Sequence, residues 1–63
     1  MGKFVIRRDK SGAYRFVLKA GNGEVVATSQ TYKTKEGCKN GIGSVRRNAA
    51  NSPIVDLSER TDP

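Results

Sequence analysis

Histidine and tryptophan are missing from this chain, and cysteine occurs once, at Cys38. A single thiol forms no intrachain disulfide, and without histidine it builds no Cys/His zinc site within one chain. The residue most used for general acid–base catalysis is therefore absent. Acids are sparse as well: before the C-terminal segment there are only Asp9, Glu24 and Glu36, scattered through turns and a helix start. No paired carboxylates arise, so no catalytic, cofactor or metal site is assigned and no enzyme is expected. Cys38 falls on an apolar stripe and reads as a small buried hydrophobe rather than a nucleophile. Long hydrophobic runs are also lacking, the longest being three residues, whereas a bilayer span takes about 20. With no membrane segment and nothing resembling a signal peptide, a cytoplasmic protein is the expectation.

What is present is short and basic. A chain of 63 residues makes one domain, and at this size folding buries only about 60% of the unfolded surface. Domains this small usually add disulfides, a metal or a second chain. The composition excludes the first two within one copy, which leaves self-association. The net charge of +6 is unevenly placed. Residues 1–53 hold eleven Lys/Arg against three acids, a net +8, while residues 54–63 hold Arg60 against Asp56, Glu59 and Asp62, a net −2. A basic body suits an acidic partner, nucleic acid among them, although net charge also serves solubility alone.

Two hydrophobic periods divide the chain. "KFVIRR" alternates, with Phe4, Ile6 and Arg8 on one face and Lys3, Val5 and Arg7 on the other. "YRFVLKA" alternates again, setting Tyr14, Phe16, Leu18 and Ala20 against Arg15, Val17 and Lys19. Between them "DKSGA" is a turn, with Asp9 able to bond its own backbone and Gly12 free to take positive φ. Asn22-Gly23 predicts a second hairpin through a type I′ turn, and "EVVATS" a third, shorter strand. From Thr31 the period lengthens. Thr34 is the expected N-cap of a helix over 35–49 that aligns Cys38, Ile42, Val45 and Ala49 on one stripe. On this wheel Gly41 lies beside the stripe, where it lets the backbone approach a neighbour, and Gly37 and Gly43 face outward. Pro53 ends the helix by Asn51, and "PIVDL" reads as a fourth strand. The expected core is thin: Phe4, Ile6, Phe16 and Leu18, with Val25 and Ala27 from the third strand, under Ile42 and Val45. Val5 and Val17 are expected half exposed on the opposite face.

The stretch "DKSGAYRFVLKAGNGEVVATSQTYKTKEGCKNGIGSVRRNA" resembles the YegP-like family, small bacterial domains of unknown function that occur singly or as tandem repeats. The matching features run in order: Asp9 and Gly12, Phe16 and Leu18, Asn22-Gly23, Tyr32 and Lys35, Gly41-Ile42, Ser44-Val45-Arg46, and Asn48-Ala49. Cys38 departs from the pattern, where a small residue such as alanine is common. The resemblance implies an α+β fold, a β-β-β-α-β unit whose antiparallel meander carries one helix. It further implies that two copies form one sheet and exchange their last strands, hence a strand-swapped homodimer. Residues 1–57 would form the domain and 58–63 a polar, disordered tail.

If Phe4 pairs with Leu18, the opposite sheet face sets Lys3 against Lys19 and Arg7 against Arg15, and like charges directly opposite repel. On the helix, Lys35, Lys39 and Arg46 fall on a basic ridge beside the apolar stripe. These seven residues are the candidate contacts for an anionic partner or nucleic acid. A solvated basic face is the plainer reading, and Arg46 and Arg47 have a structural reason to lie near a helix C-terminus. A helix-turn-helix is excluded because there is one helix. Base stacking would need exposed aromatics, whereas Phe4, Tyr14, Phe16 and Tyr32 all fall on or beside the core face. Two classes remain: a small dimeric interaction module, or weak nonspecific binding of a phosphate backbone through the basic sheet face.

Overall fold

The structure, a computed structural model, describes residues 1–58. Three strands, β1 (Lys3–Arg8), β2 (Tyr14–Lys19) and β3 (Val25–Thr28), precede one helix, α1 (Lys35–Ala49). The strands form an antiparallel meander in the order β1-β2-β3, and α1 lies against β2, which makes a two-layer α+β arrangement.

The two hairpins use one loop geometry. Asp9 N–H donates to the Ala13 carbonyl at 2.9 Å and Gly12 N–H to the Asp9 carbonyl at 3.0 Å. The second loop repeats this with Ala20 N–H to Glu24 at 2.8 Å and Gly23 N–H to Ala20 at 2.9 Å. Gly12 and Gly23 are the positive-φ residues, each at 90°. This is the three-residue hairpin, a turn closed by a left-handed glycine, in place of the expected type I′ turn. Asn22 keeps negative φ because its side chain accepts from Glu24 N–H at 3.0 Å and holds the turn without it.

The β1–β2 register is the expected one, with Phe4 opposite Leu18, Ile6 opposite Phe16, Lys3 opposite Lys19 and Arg7 opposite Arg15. Past the second loop a bulge between Leu18 and Lys19 sets Val25 opposite Lys19. Val25 is thereby turned to the face of Lys19. Ala27, opposite Leu18, keeps the helix side but lies beside rather than under α1, which packs on β2, so both residues expected inside are exposed. Val17, expected half exposed, is buried instead. It sits in the central strand between Val5 and Thr28, where the stems of flanking Lys and Arg side chains can lie over it.

Tyr32 seats the helix. Its backbone bridges to Tyr14 through bonds of 2.8 and 2.7 Å, and Ser29 extends the pairing by accepting Phe16 N–H on its hydroxyl at 2.9 Å. The Tyr32 ring stacks on Phe16 at 6.2 Å and 17°, and Phe4 meets Phe16 edge-on at 5.7 Å and 72°. A Cβ at Gly41 would collide with the Tyr32 hydroxyl and lie 3.3 Å from Phe16 Cε2. Gly37, expected outward, is half-buried, and its Cβ would stand 3.7 Å from Tyr32 Cδ1. The helix thus approaches the tyrosine along a Gly37/Gly41 edge. Thr34 caps it by accepting Gly37 N–H at 2.9 Å. Cys38 is completely buried and Phe16 is 5% exposed, whereas Ile42 and Val45 are half-buried and Ala49 is exposed.

Beyond Asn51 no fourth strand forms among the described residues. Ile54, Val55 and Leu57 are 95%, 75% and 65% exposed. A strand needs a pairing partner for its backbone, and the segment finds none within its own copy. Of the expected tail 58–63, residues 59–63 lie outside the described residues. No helix among the described residues is long and apolar enough to cross a membrane.

Candidate functional site

The seven candidate cations fall on two surfaces. Lys3, Arg7, Arg15 and Lys19 share the sheet face away from α1, in two rows of like charge on either side of the Val5–Val17 pair. Lys3, Arg7 and Arg15 are exposed, and Lys19 is half-buried. Because strand residues alternate faces, this layout follows from register alone. The nearby acid, Asp9, is engaged by its own turn: its carboxylate accepts the Ser11 hydroxyl at 2.7 Å, Ser11 N–H at 3.0 Å and Ala13 N–H at 3.0 Å. The Ser11 hydroxyl bond, followed by the Ala13 amide, holds the Asp9 carboxyl below its usual value, with a smaller contribution from the Arg15 charge.

Lys35, Lys39 and Arg46 lie instead along a groove between β1 and α1. The helix packs over β2, so the far edge of β1 and its inward side chains are left partly uncovered. One stretch, of about 460 Å³, is lined by Ile6, Arg7, Arg8, Tyr14, Lys35 and Lys39. The next, of about 370 Å³, is lined by Phe4, Ile6, Lys39, Ile42, Gly43 and Arg46. Ile6 and Lys39 belong to both, so the two are neighbouring parts of one trough. Its floor is apolar and its rim cationic. Arg46 has a second role besides the helix end, since its guanidinium lies 5.4 Å over the Phe4 ring. Arg8, absent from the seven candidates, belongs to this rim and sits 5.6 Å over the Tyr14 ring. Its position was available from the alternation of "KFVIRR", which puts Arg8 on the face of Phe4 and Ile6.

Chemically the trough offers apolar contact, cation–π support and positive charge. No group of three or more His, Cys, Asp or Glu able to hold a metal is found among the described residues. Cys38 lies completely buried, beyond reach of a solvent-borne reactant.

Residues 9–56 match the model of a domain of unknown function, DUF1508. The chain is similar to a UPF0339 protein of Treponema denticola, 54% identical over 56 residues, covering 89% of this chain and 97% of the relative. It is also similar to the UPF0339 protein YegP of Yersinia pestis, 38% identical over 61 residues, covering 97% of this chain but 54% of that longer protein. Among solved structures, the solution structure of a protein from Haloferax volcanii superposes with a TM-score of 0.80 at 32% identity, covering 89% of this chain and 95% of the other.

Proposed function

Because the chain belongs to the DUF1508 family, whose function is unknown, we propose a role carried by its surface: a self-associating interaction module. In this reading the segment Ile54 to Leu57 of one copy adds to the free edge of β1 in a second copy, and the second copy returns the same segment. The observation that carries it is a mismatch within one chain. Three exposed apolar side chains at Ile54, Val55 and Leu57 stand beyond a domain whose β1 edge and apolar trough are open. The radius of gyration supports the same view, at 14.6 Å against roughly 11 Å for a compact chain of this length.

Edge addition satisfies the orphan backbone of the segment and covers a strand edge that would otherwise invite uncontrolled pairing. Alternation puts Val55 and Leu57 on one face of the added strand, where they meet Phe4, Ile6 and Ile42. Reciprocal exchange is a closed, two-fold arrangement. Velocity sedimentation at micromolar concentration is expected to give about twice the chain mass, and Leu57→Asp to shift the species toward one chain. A well-folded monomer at that concentration overturns the proposal. Removing residues from Pro53 onward is expected to abolish dimerisation and the far-UV signature of the fold together, since the exchanged strand completes the sheet.

A further inference from the structure

We propose that the sheet face opposite α1 is a docking surface for the phosphate backbone of nucleic acid, read without regard to base sequence. The Lys3/Lys19 and Arg7/Arg15 rows are four residues apart along their strands, about 13 Å at the strand rise. Over that length one DNA strand carries about four phosphates, so four cations face a matching density of negative charge. Between the rows the Val5–Val17 pair is short and uncharged, so no acidic side chain stands between the two rows of cations.

The rows have no neutralising acid within their own strands. Of the described acids, Asp9 and Glu24 lie in the two loops, Glu36 on α1 and Asp56 beyond it. Asp9 is committed to Ser11 and Ala13. Strand exchange would bring in one described acid, Asp56, and leave the face net positive. The surface therefore retains two like-charge pairs that oppose folding, and a polyanion relieves both. Sequence-independent binding follows from where the aromatics are. Phe4 meets Phe16 edge-on and Tyr32 stacks on it on the helix side, and Tyr14 lies under Arg8, so none is offered to a base on the outer face. Both rows lie within one copy, so a single chain carries the whole surface whatever its oligomeric state.

The test is fluorescence anisotropy with a labelled mixed-sequence DNA duplex between about 50 and 200 mM salt, where phosphate contacts give log Kobs a slope of about −0.9 each. The paired change Arg7→Ala with Arg15→Ala is expected to flatten the slope by about two per copy. Arg46→Ala with Arg47→Ala removes equal charge and is expected to leave the slope nearly unchanged. Arg7→Glu is the decisive single variant: it places an acid opposite Arg15, so its melting temperature should rise while DNA affinity falls, which excludes misfolding as the cause. No salt-dependent binding at about 50 mM overturns the inference. So does equal loss from the helix pair, or tighter binding of poly-glutamate than of the duplex, which would make the partner an acidic protein. Each of these readings leaves the sedimentation result untouched, so the two proposals fail separately.

Discussion

Gly41 and Gly43 are two residues apart on one helix, yet substitution should move stability in opposite directions. Glycine in a helix interior costs about 1 kcal/mol relative to alanine, so alanine is the better residue wherever a Cβ has room. At Gly43 the close neighbour is the tip of Arg47, 3.1 Å away, and a flexible exposed side chain gives way. Gly43→Ala should therefore raise stability by up to about 1 kcal/mol. At Gly41 the Cβ would meet the Tyr32 ring, which is itself held against Phe16. Gly41→Ala should cost about 1–3 kcal/mol, as overpacking does. Tyr32→Phe removes the colliding oxygen and should recover part of that loss, so denaturant midpoints of the four combinations should be non-additive. At Asp9, the lowered carboxyl pKa favours the folded state at pH values above the ordinary carboxylate range. That contribution is lost as pH falls through the folded value, below 3.8. Asp9→Asn should accordingly lose stability at neutral pH and show a shallower decline on acidification, read from thermal unfolding across pH 2 to about 6.

Among the elements, the helix is most informative through what it leaves uncovered. Its bounds, its Thr34 cap and its Cys38 anchor were all legible, because a period change and a capping residue are local signals. Its lateral position was not legible. Periodicity specifies which stripe faces the sheet but not which strand lies below it, and α1 sits on β2 because Gly37 and Gly41 admit Tyr32. That offset leaves Ile42 half-buried, where a buried place was expected, and opens the trough beside β1. The same limit explains the third strand. Alternation in "EVVATS" pointed Val25 inward, but one bulge reverses a face and has no clear sequence mark. The cations of the outer face were legible to the residue, since they follow from β1–β2 register alone. Ile42 also measures whether the trough is occupied. A half-open site loses little on truncation, whereas one covered by an exchanged strand should cost about 2–5 kcal/mol for Ile42→Ala. Chemical unfolding at high and low protein concentration should give the larger value at the higher one. Arg47→Ala, on an exposed helix position, should change stability by no more than about 0.5 kcal/mol.

For the molecule as a whole, two surfaces of different chemistry should respond differently to salt. The trough is floored by Phe4, Ile6 and Ile42, and apolar burial is not weakened by screening. The outer face acts through exposed charge, whose reach at about 0.1 M salt is about 10 Å. Raising salt to about 1 M, where that reach falls to about 3 Å, should leave the sedimenting species dimeric while abolishing DNA binding. A dimer that dissociates with salt would place the rim cations, Lys35, Lys39 and Arg46, at the centre of the interface. Length and cysteine content give only the expectation of a second chain. What they could not give is which edges are open, β1 and β3, because an open edge is visible only once strand order is known.

The shared geometry of the two hairpin loops has a consequence in time. Each closes over three residues with its own glycine, so β1–β2 and β2–β3 pairing involves only neighbours in sequence, and such hairpins form in about 1–10 μs. The proposed exchange of Ile54 to Leu57 would instead wait for two chains to meet. Refolding from denaturant should then divide into a fast phase whose rate ignores protein concentration and a slower one that rises with it. Between the two phases the meander would stand with its β1 edge exposed, and that interval is when the chain is most open to pairing with the wrong neighbour.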